Sequence, residues 1–146
     1  MKISAKGRYG MVAMTYLAQN YASGSLVTIM TISEKMRISK IYLEQVFALL
    51  KRSGLVDSIK GSQGGYRLAR PPKEITAYDI LSVIELTLME TTDPVTGDKM
   101  PEIDSVLDAC IYRPIDEKLH ELLASVSLED ILVAADKESA SLMYYI

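Results

Sequence analysis

The chain has 146 residues, 49% of them hydrophobic, with one cysteine and a net charge of −3, enough for one compact domain plus an appended helical element. No apolar run reaches the roughly 20 residues of a membrane span, and the start lacks a signal peptide's apolar core. One thiol closes no internal disulfide, so a cytoplasmic protein with no membrane partner is expected.

The charge is unevenly placed. Residues 1–73 hold 12 Lys and Arg against three acids, Glu34, Glu44 and Asp57, a net of +9. Residues 74–146 hold four against 16, a net of −12. A basic half can neutralise phosphates and release counterions, while the acidic half would be held away from nucleic acid. A face that is merely solvated gives the same count.

In chain order, Met11, Met14, Leu17, Ala18 and Tyr21 follow three-and-four spacing and predict a helix over 10–21. Lys6 and Arg8 lie on its first turns, with Tyr9 beside them. Gly24-Ser25 ends this element. Thr28 or Thr31 then caps a short helix through Met36, with Ile29, Ile32 and Met36 as its buried row. Ser39 is a good N-cap for the next helix, which Gly54 stops after Ser53. Leu43, Val46, Phe47 and Leu50 form its inner stripe, so Lys40, Ile41, Tyr42, Glu44, Gln45, Lys51 and Arg52 face outward.

Two short helices joined by about three residues fit a helix-turn-helix whose second member enters the major groove. The segment beyond Gly54 sharpens that reading. Residues 55–59 and 65–68 predict two strands around a tip, Lys60-Gly61-Ser62-Gln63-Gly64-Gly65, with Arg67 beyond it. Its glycines permit positive φ and close backbone approach to a phosphate or groove wall. A nucleotide-cradling loop fails on spacing: there is neither G-x-G-x-x-G leading into a helix nor a Gly-Lys-Ser/Thr ending. The expected class is mainly α with a small β-hairpin: a winged helix-turn-helix over 1–73, then linker, long dimerisation helix and tail over 74–146.

The start Met1-Lys2-Ile3-Ser4-x-Lys6-Gly7-Arg8-Tyr9-Gly10, the core Ser39-x-x-Tyr42-Leu43-Glu44-Gln45 and the wing Gly61-x-x-Gly64-Gly65-Tyr66-x-Leu68 resemble the Rrf2 family of bacterial winged-helix regulators. Ile75-Thr76-Ala77-x-Asp79-Ile80 and Ser127-Leu128-Glu129-Asp130-Ile131 extend the match over nearly the whole chain. The resemblance implies a homodimeric transcription factor on partly palindromic double-stranded DNA. It puts Tyr42, Glu44 and Gln45 at the major groove and Lys60, where many relatives carry arginine, towards the minor groove. Lysine there lacks arginine's planar fork. Chemistry agrees: Gln45 can pair with adenine, Glu44 can accept from cytosine N4, and Tyr42 can reach a phosphate or a thymine methyl. Lys6, Arg8, Ser39, Lys40, Lys51, Arg52, Ser62, Gln63 and Arg67 complete the expected DNA-facing set, the cations chiefly as phosphate contacts.

Many members of that family bind an iron–sulfur cluster through three cysteines after the fourth helix. Here that segment, Met89 to Asp104, holds no Cys or His. No cluster is expected, and no metal or other cofactor. Asp93, Asp98 and Asp104 are read as solvating a turn-rich loop. Tyr78, Leu88 and Met89 could line a small pocket beside it or fill core. Cys110 is read as a small core residue between Leu107 and Ile111, with a thiol redox sensor as the competing reading.

In the acidic half, Thr76 with Asp79 caps a helix carrying Ile80, Leu81, Val83 and Ile84. Leu107, Ile111, Ile115, Leu119, Leu122 and Val126 then step by fours and threes, an apolar seam suited to a second copy. Pro114 should kink this helix or begin a new one. His120 has no nucleophile or metal partners in the pattern, and no catalytic residues are assigned.

The ending Leu142-Met143-Tyr144-Tyr145-Ile146 is similar to that of the family's cluster-free cysteine-metabolism repressors. That resemblance implies a complex with cysteine synthase through Tyr144, Tyr145 and Ile146, the terminal carboxylate taking the place of an amino-acid substrate such as O-acetylserine. A tail that packs on its own fold is the plain alternative. A regulatory subunit for which DNA is secondary is another.

Overall fold

The computed structural model describes residues 2–88, 90, 94 and 99–144. Three helices, α1 (Ala5–Gln19), α2 (Ile29–Met36) and α3 (Lys40–Arg52), precede a hairpin of β1 (Val56–Ile59) and β2 (Gly65–Leu68). A 3-10 turn at Pro72–Glu74 leads into α4 (Ala77–Ile84), and a second follows at Leu86–Leu88. Helix α5 (Pro101–Leu107), a π turn (Asp108–Tyr112) and α6 (Arg113–Ala124) run on as one long helix, and α7 (Leu128–Tyr144) closes the described chain. This is the expected mainly helical winged helix-turn-helix with a long appended helix.

Local chemistry explains most boundaries. The Thr28 hydroxyl accepts the Thr31 N–H at 3.1 Å and so starts α2. Arg37, at φ 52, ends it in the left-handed conformation, and the Ser33 hydroxyl donates to the Ile38 carbonyl across the turn at 2.7 Å. Gly54, at φ 78, terminates α3. Reciprocal capping boxes open α4, between Thr76 and Asp79, and α7, between Ser127 and Asp130.

Helix α1 departs from expectation. It begins at Ala5, not Gly10, and ends at Gln19, so Tyr21 lies beyond it and is exposed. Gly7 and Gly10 are both buried within it, where Glu85 and Ile84, at the end of α4, lie against them. A Cβ at Gly10 would overlap the Cδ1 of Ile84.

The hairpin pairs Val56 with Leu68, Asp57 with Arg67, Ser58 with Tyr66 and Ile59 with Gly65. Val27 joins its edge as a single bridging residue, exchanging backbone hydrogen bonds of 2.9 and 2.7 Å with Tyr66. Leu43, Val46, Phe47 and Leu50 of α3 are fully buried, as their spacing requires. They share one core with Met14, Leu17 and Ile32, and with Ile75, Ile80, Ile84 and Leu128. Division at residue 73 is therefore one of charge; the core runs straight across it.

The long helix neither stops nor breaks at Pro114. Its Arg113 N–H bonds the Asp108 carbonyl five residues back, which takes up an extra residue just before the proline, and Pro114 then falls in the first turn of α6. Ile111, Ile115 and Leu122 are exposed on this protomer, while Leu107, Leu119 and Val126 are half-buried. Cys110 is exposed within the π turn, contrary to the core position expected of it: residues 108–112 are flanked by helix, and among the described residues nothing buries the thiol.

Candidate nucleic-acid interface

A groove of about 480 Å³ runs between α3 and the hairpin. One wall carries Lys40, Glu44 and Lys51 from the outer face of α3; the other carries Ser58, Lys60 and Ser62 from the wing. Helix periodicity creates the first wall, because burying Leu43, Val46, Phe47 and Leu50 forces the intervening positions outward. Ile41 is 67% exposed and Tyr42 43%. Gln45 and Arg52 are exposed as well.

Several polar groups here are only lightly committed. Ser39 occupies the N-cap of α3 but makes no side-chain capping bond, leaving its hydroxyl for an outside partner. Lys40 and Glu44 approach to 3.8 Å across one helical turn. Such an exposed pair contributes less than about 1 kcal/mol and yields readily to a phosphate.

The wing's tip depends on its glycines. Gly61 sits at φ 107, a region that favours glycine. A Cβ at Gly64 would overlap the Ile59 carbonyl. Lys60, Ser62 and Gln63 are all exposed around this bend.

Of the expected DNA-facing residues only Lys40, Glu44, Lys51, Lys60 and Ser62 line this groove; Ser39, Tyr42, Gln45, Arg52 and Gln63 lie outside its lining. Arg67 alternates to the other face of the hairpin, where it stands 4.0 Å from Asp57 and lines a separate hollow against the end of α1. Lys6 and Arg8 lie on the first turn of α1, half-buried and exposed respectively. Their neighbour Tyr9 packs its ring on Tyr42 of α3. Conversely, Thr28 and Met30 at the start of α2 line the groove, although sequence pattern alone gives Thr28 only a capping role. Its position at the head of the first helix of a helix-turn-helix was the signal available.

Elsewhere, His120 packs edge-on against Tyr78, ring centroids 4.2 Å apart. Leu88 is half-buried. Tyr144 is 94% exposed at the end of α7. Tyr145 and Ile146 lie outside the described residues, as do Met89, Asp93 and Asp98. No described helix is long and apolar enough to cross a membrane.

Residues 3–134 match the Rrf2 family, described as an iron-dependent transcriptional regulator. The chain belongs to the Rrf2 family. Like its relatives, it is a DNA-binding transcriptional regulator and not an enzyme. It is 36% identical over 146 residues, the full length of both chains, to the HTH-type transcriptional regulator CymR of Bacillus subtilis (strain 168). It is also 36% identical over 135 residues to the HTH-type transcriptional regulator IscR of Cereibacter sphaeroides, covering 90% of this chain and 87% of that one. The solved structure of CymR, described as the global cysteine regulator of B. subtilis, superposes with a TM-score of 0.74 at 35% identity, over 90% of this chain and 95% of that chain.

Iron in the family description invites a test of the donors. The chain has one cysteine, and it points into the open from the π turn. No three His, Cys, Asp or Glu side chains gather as a metal-ligating group among the described residues. This donor set does not fit an iron–sulfur cluster.

Proposed function

We propose that this Rrf2-family regulator is a homodimeric, cytoplasmic repressor of cysteine and sulfur metabolism that binds partly palindromic double-stranded DNA. Gln45, Glu44 and Tyr42 read bases in the major groove. Lys40, Lys51 and Arg52, with Lys6, Arg8 and Ser39, hold phosphates, and Lys60, Ser62 and Gln63 bring the wing to the minor groove. Residues 1–73 supply this face. Residues 74–146 supply the dimer, through Leu107, Ile111, Ile115, Leu119, Leu122 and Val126, and the tail. The observation that carries the cysteine assignment is end-to-end similarity to CymR, together with a donor set unlike that of a cluster protein.

Control comes from a complex with cysteine synthase, in which Tyr144, Tyr145 and Ile146 occupy the substrate site and O-acetylserine displaces them. Exposure of Leu142, Met143 and Tyr144 at the end of α7 favours an outside partner over self-packing. Calorimetric titration of the full chain, and of a chain lacking Ile146, against cysteine synthase tests this. Binding that needs Ile146 and is reversed by O-acetylserine supports it; no binding in either form removes the cysteine assignment and leaves the DNA-binding regulator intact.

Exposure of Cys110 favours a second reading, a thiol-responsive regulator. Operator binding that changes on peroxide treatment of the wild type but not of Cys110→Ser would select it.

A further inference from the structure

Helix α1 is capped in an unusual way. Its N-cap Ser4 accepts the Gly7 N–H on Oγ at 3.1 Å, the ordinary half of a capping box. The reciprocal half calls for an acceptor three residues into the helix that takes the N-cap's own N–H. Asp79 and Asp130 do this for α4 and α7. In α1 that position is Gly7, which has no side chain.

Glu85 replaces it from 81 residues away. One carboxylate oxygen, Oε1, accepts both the Ser4 N–H at 2.7 Å and the Ser4 hydroxyl at 2.6 Å. Glu85 is the one charged residue buried among those described, 8% exposed. A Cβ at residue 7 would overlap that same Oε1, so Gly7 both vacates the local acceptor position and admits the distant one. A carboxylate at a helix N-terminus is also favoured by the helix dipole.

Both ends of this contact matter. Glu85 closes α4, and its carbonyl accepts the Leu88 N–H at 3.1 Å to begin the turn towards the long helix. Ser4 opens α1, whose first two turns carry Lys6, Arg8 and Tyr9. The Tyr9 ring stands edge-on to that of Tyr42, with centroids 5.8 Å apart and planes at 90°. A carboxylate at the exit of α4 is thus joined, through one rigid helical segment, to an exposed ring of the recognition helix.

We infer that Glu85 is a positioning residue for operator reading: through Ser4 it sets the first turns of α1, and through Tyr9 the attitude of Tyr42. The inference rests on the DNA-facing role given above to α3. Wild-type protein is first used to enrich duplexes from a random library; failure to enrich any sequence would remove that role itself, and this inference with it. Affinities for the enriched duplex and for a scrambled duplex are then compared in folded Glu85→Ala, Gly7→Ala, Ser4→Ala and Glu85→Gln proteins. The first three are expected to reduce the ratio of the two affinities by about tenfold. Glu85→Gln keeps an acceptor oxygen and should stay within about threefold of wild type. Adding Tyr42→Ala to Glu85→Ala should lower the ratio by less than Tyr42→Ala does alone in the wild type. Unchanged ratios in the folded variants, or Tyr42 and Glu85 effects that multiply independently, would overturn the proposal. If Glu85→Ala fails to fold, Ser4→Ala, which alters an exposed residue, and Gly7→Ala carry the same comparison.

Discussion

Phe47, on the inner face of α3, packs its ring against Tyr66 of the wing, centroids 4.6 Å apart and planes tilted by 54°. The recognition helix and the hairpin are therefore packed directly on each other, and Tyr66 is also held by its two backbone bonds to Val27. Tyr66→Ala should lower unfolding stability by about 2 kcal/mol, below the full aromatic-to-alanine range because the ring is only half-buried. Tyr66→Phe should be nearly neutral. Urea denaturation of the three proteins checks both statements.

Base reading and phosphate holding separate in their salt response. Gln45→Ala should reduce discrimination at one base pair by about 1–3 kcal/mol and leave the salt dependence almost unchanged. Lys51→Ala should weaken all sequences alike and reduce the slope of log affinity against log salt by about 1. Arg67→Ala should change neither measurably, because that side chain faces Asp57 away from the groove. Titrations at several salt concentrations, on matched and mismatched duplexes, distinguish the three.

The long helix offers a test of assembly. Ile115 is 54% exposed and Leu122 61%, values suited to a surface covered by a second copy. Ile115→Asp with Leu122→Asp should shift the species seen in sedimentation towards the 16.2 kDa protomer. The helical circular dichroism of the chain should persist. An unchanged sedimentation profile would reject these residues as the dimer seam.

Acid sensitivity arises at the cap of α7. The backbone and side-chain hydrogen bonds of Ser127 hold the Asp130 carboxyl below its ordinary value of 3.8, against a smaller opposing effect of burial. A carboxyl depressed in the folded state stabilises fully above its unfolded value, and that stabilisation fades as pH falls through the lower, folded one. Asp130→Ala should therefore melt below wild type at pH 7. Thermal unfolding between pH 7 and pH 3 should show the gap closing below 3.8.

What the sequence disclosed divides by the range of the interaction. The stripe from Leu43 to Leu50 and the cap at Thr76 depend on neighbours within a turn or two and were readable at once, while the cap of α2 was narrowed to Thr28 or Thr31 and is Thr28. The start of α1 was not, because the apolar spacing begins at Met11, while Gly7 and Gly10 are held in the helix by Glu85 and Ile84 from far along the chain. Glu85 carried no local signal, because its partner is Ser4. The exposure of Cys110 was hidden for the opposite reason, since its fate depends on what fails to pack over the long helix. The direction of Arg67 lay within reach, for strand alternation from buried Leu68 sends it to the opposite face.

The π turn gives meaning to a detail of spacing. Leu107, Ile111, Ile115 and Leu119 succeed one another in three steps of four. Along an uninterrupted α-helix those 12 residues would wind about 120° around the axis and carry the apolar line out of alignment with itself. One residue absorbed between Asp108 and Tyr112 removes about 100° of that drift, so the four side chains keep nearly one azimuth. Here the count of residues governs more than their identity. Removing one of positions 108–112 would let the π turn close into regular α-helix and leave the line in place, whereas removing one residue between Arg113 and Lys118 would rotate everything beyond it by about 100°.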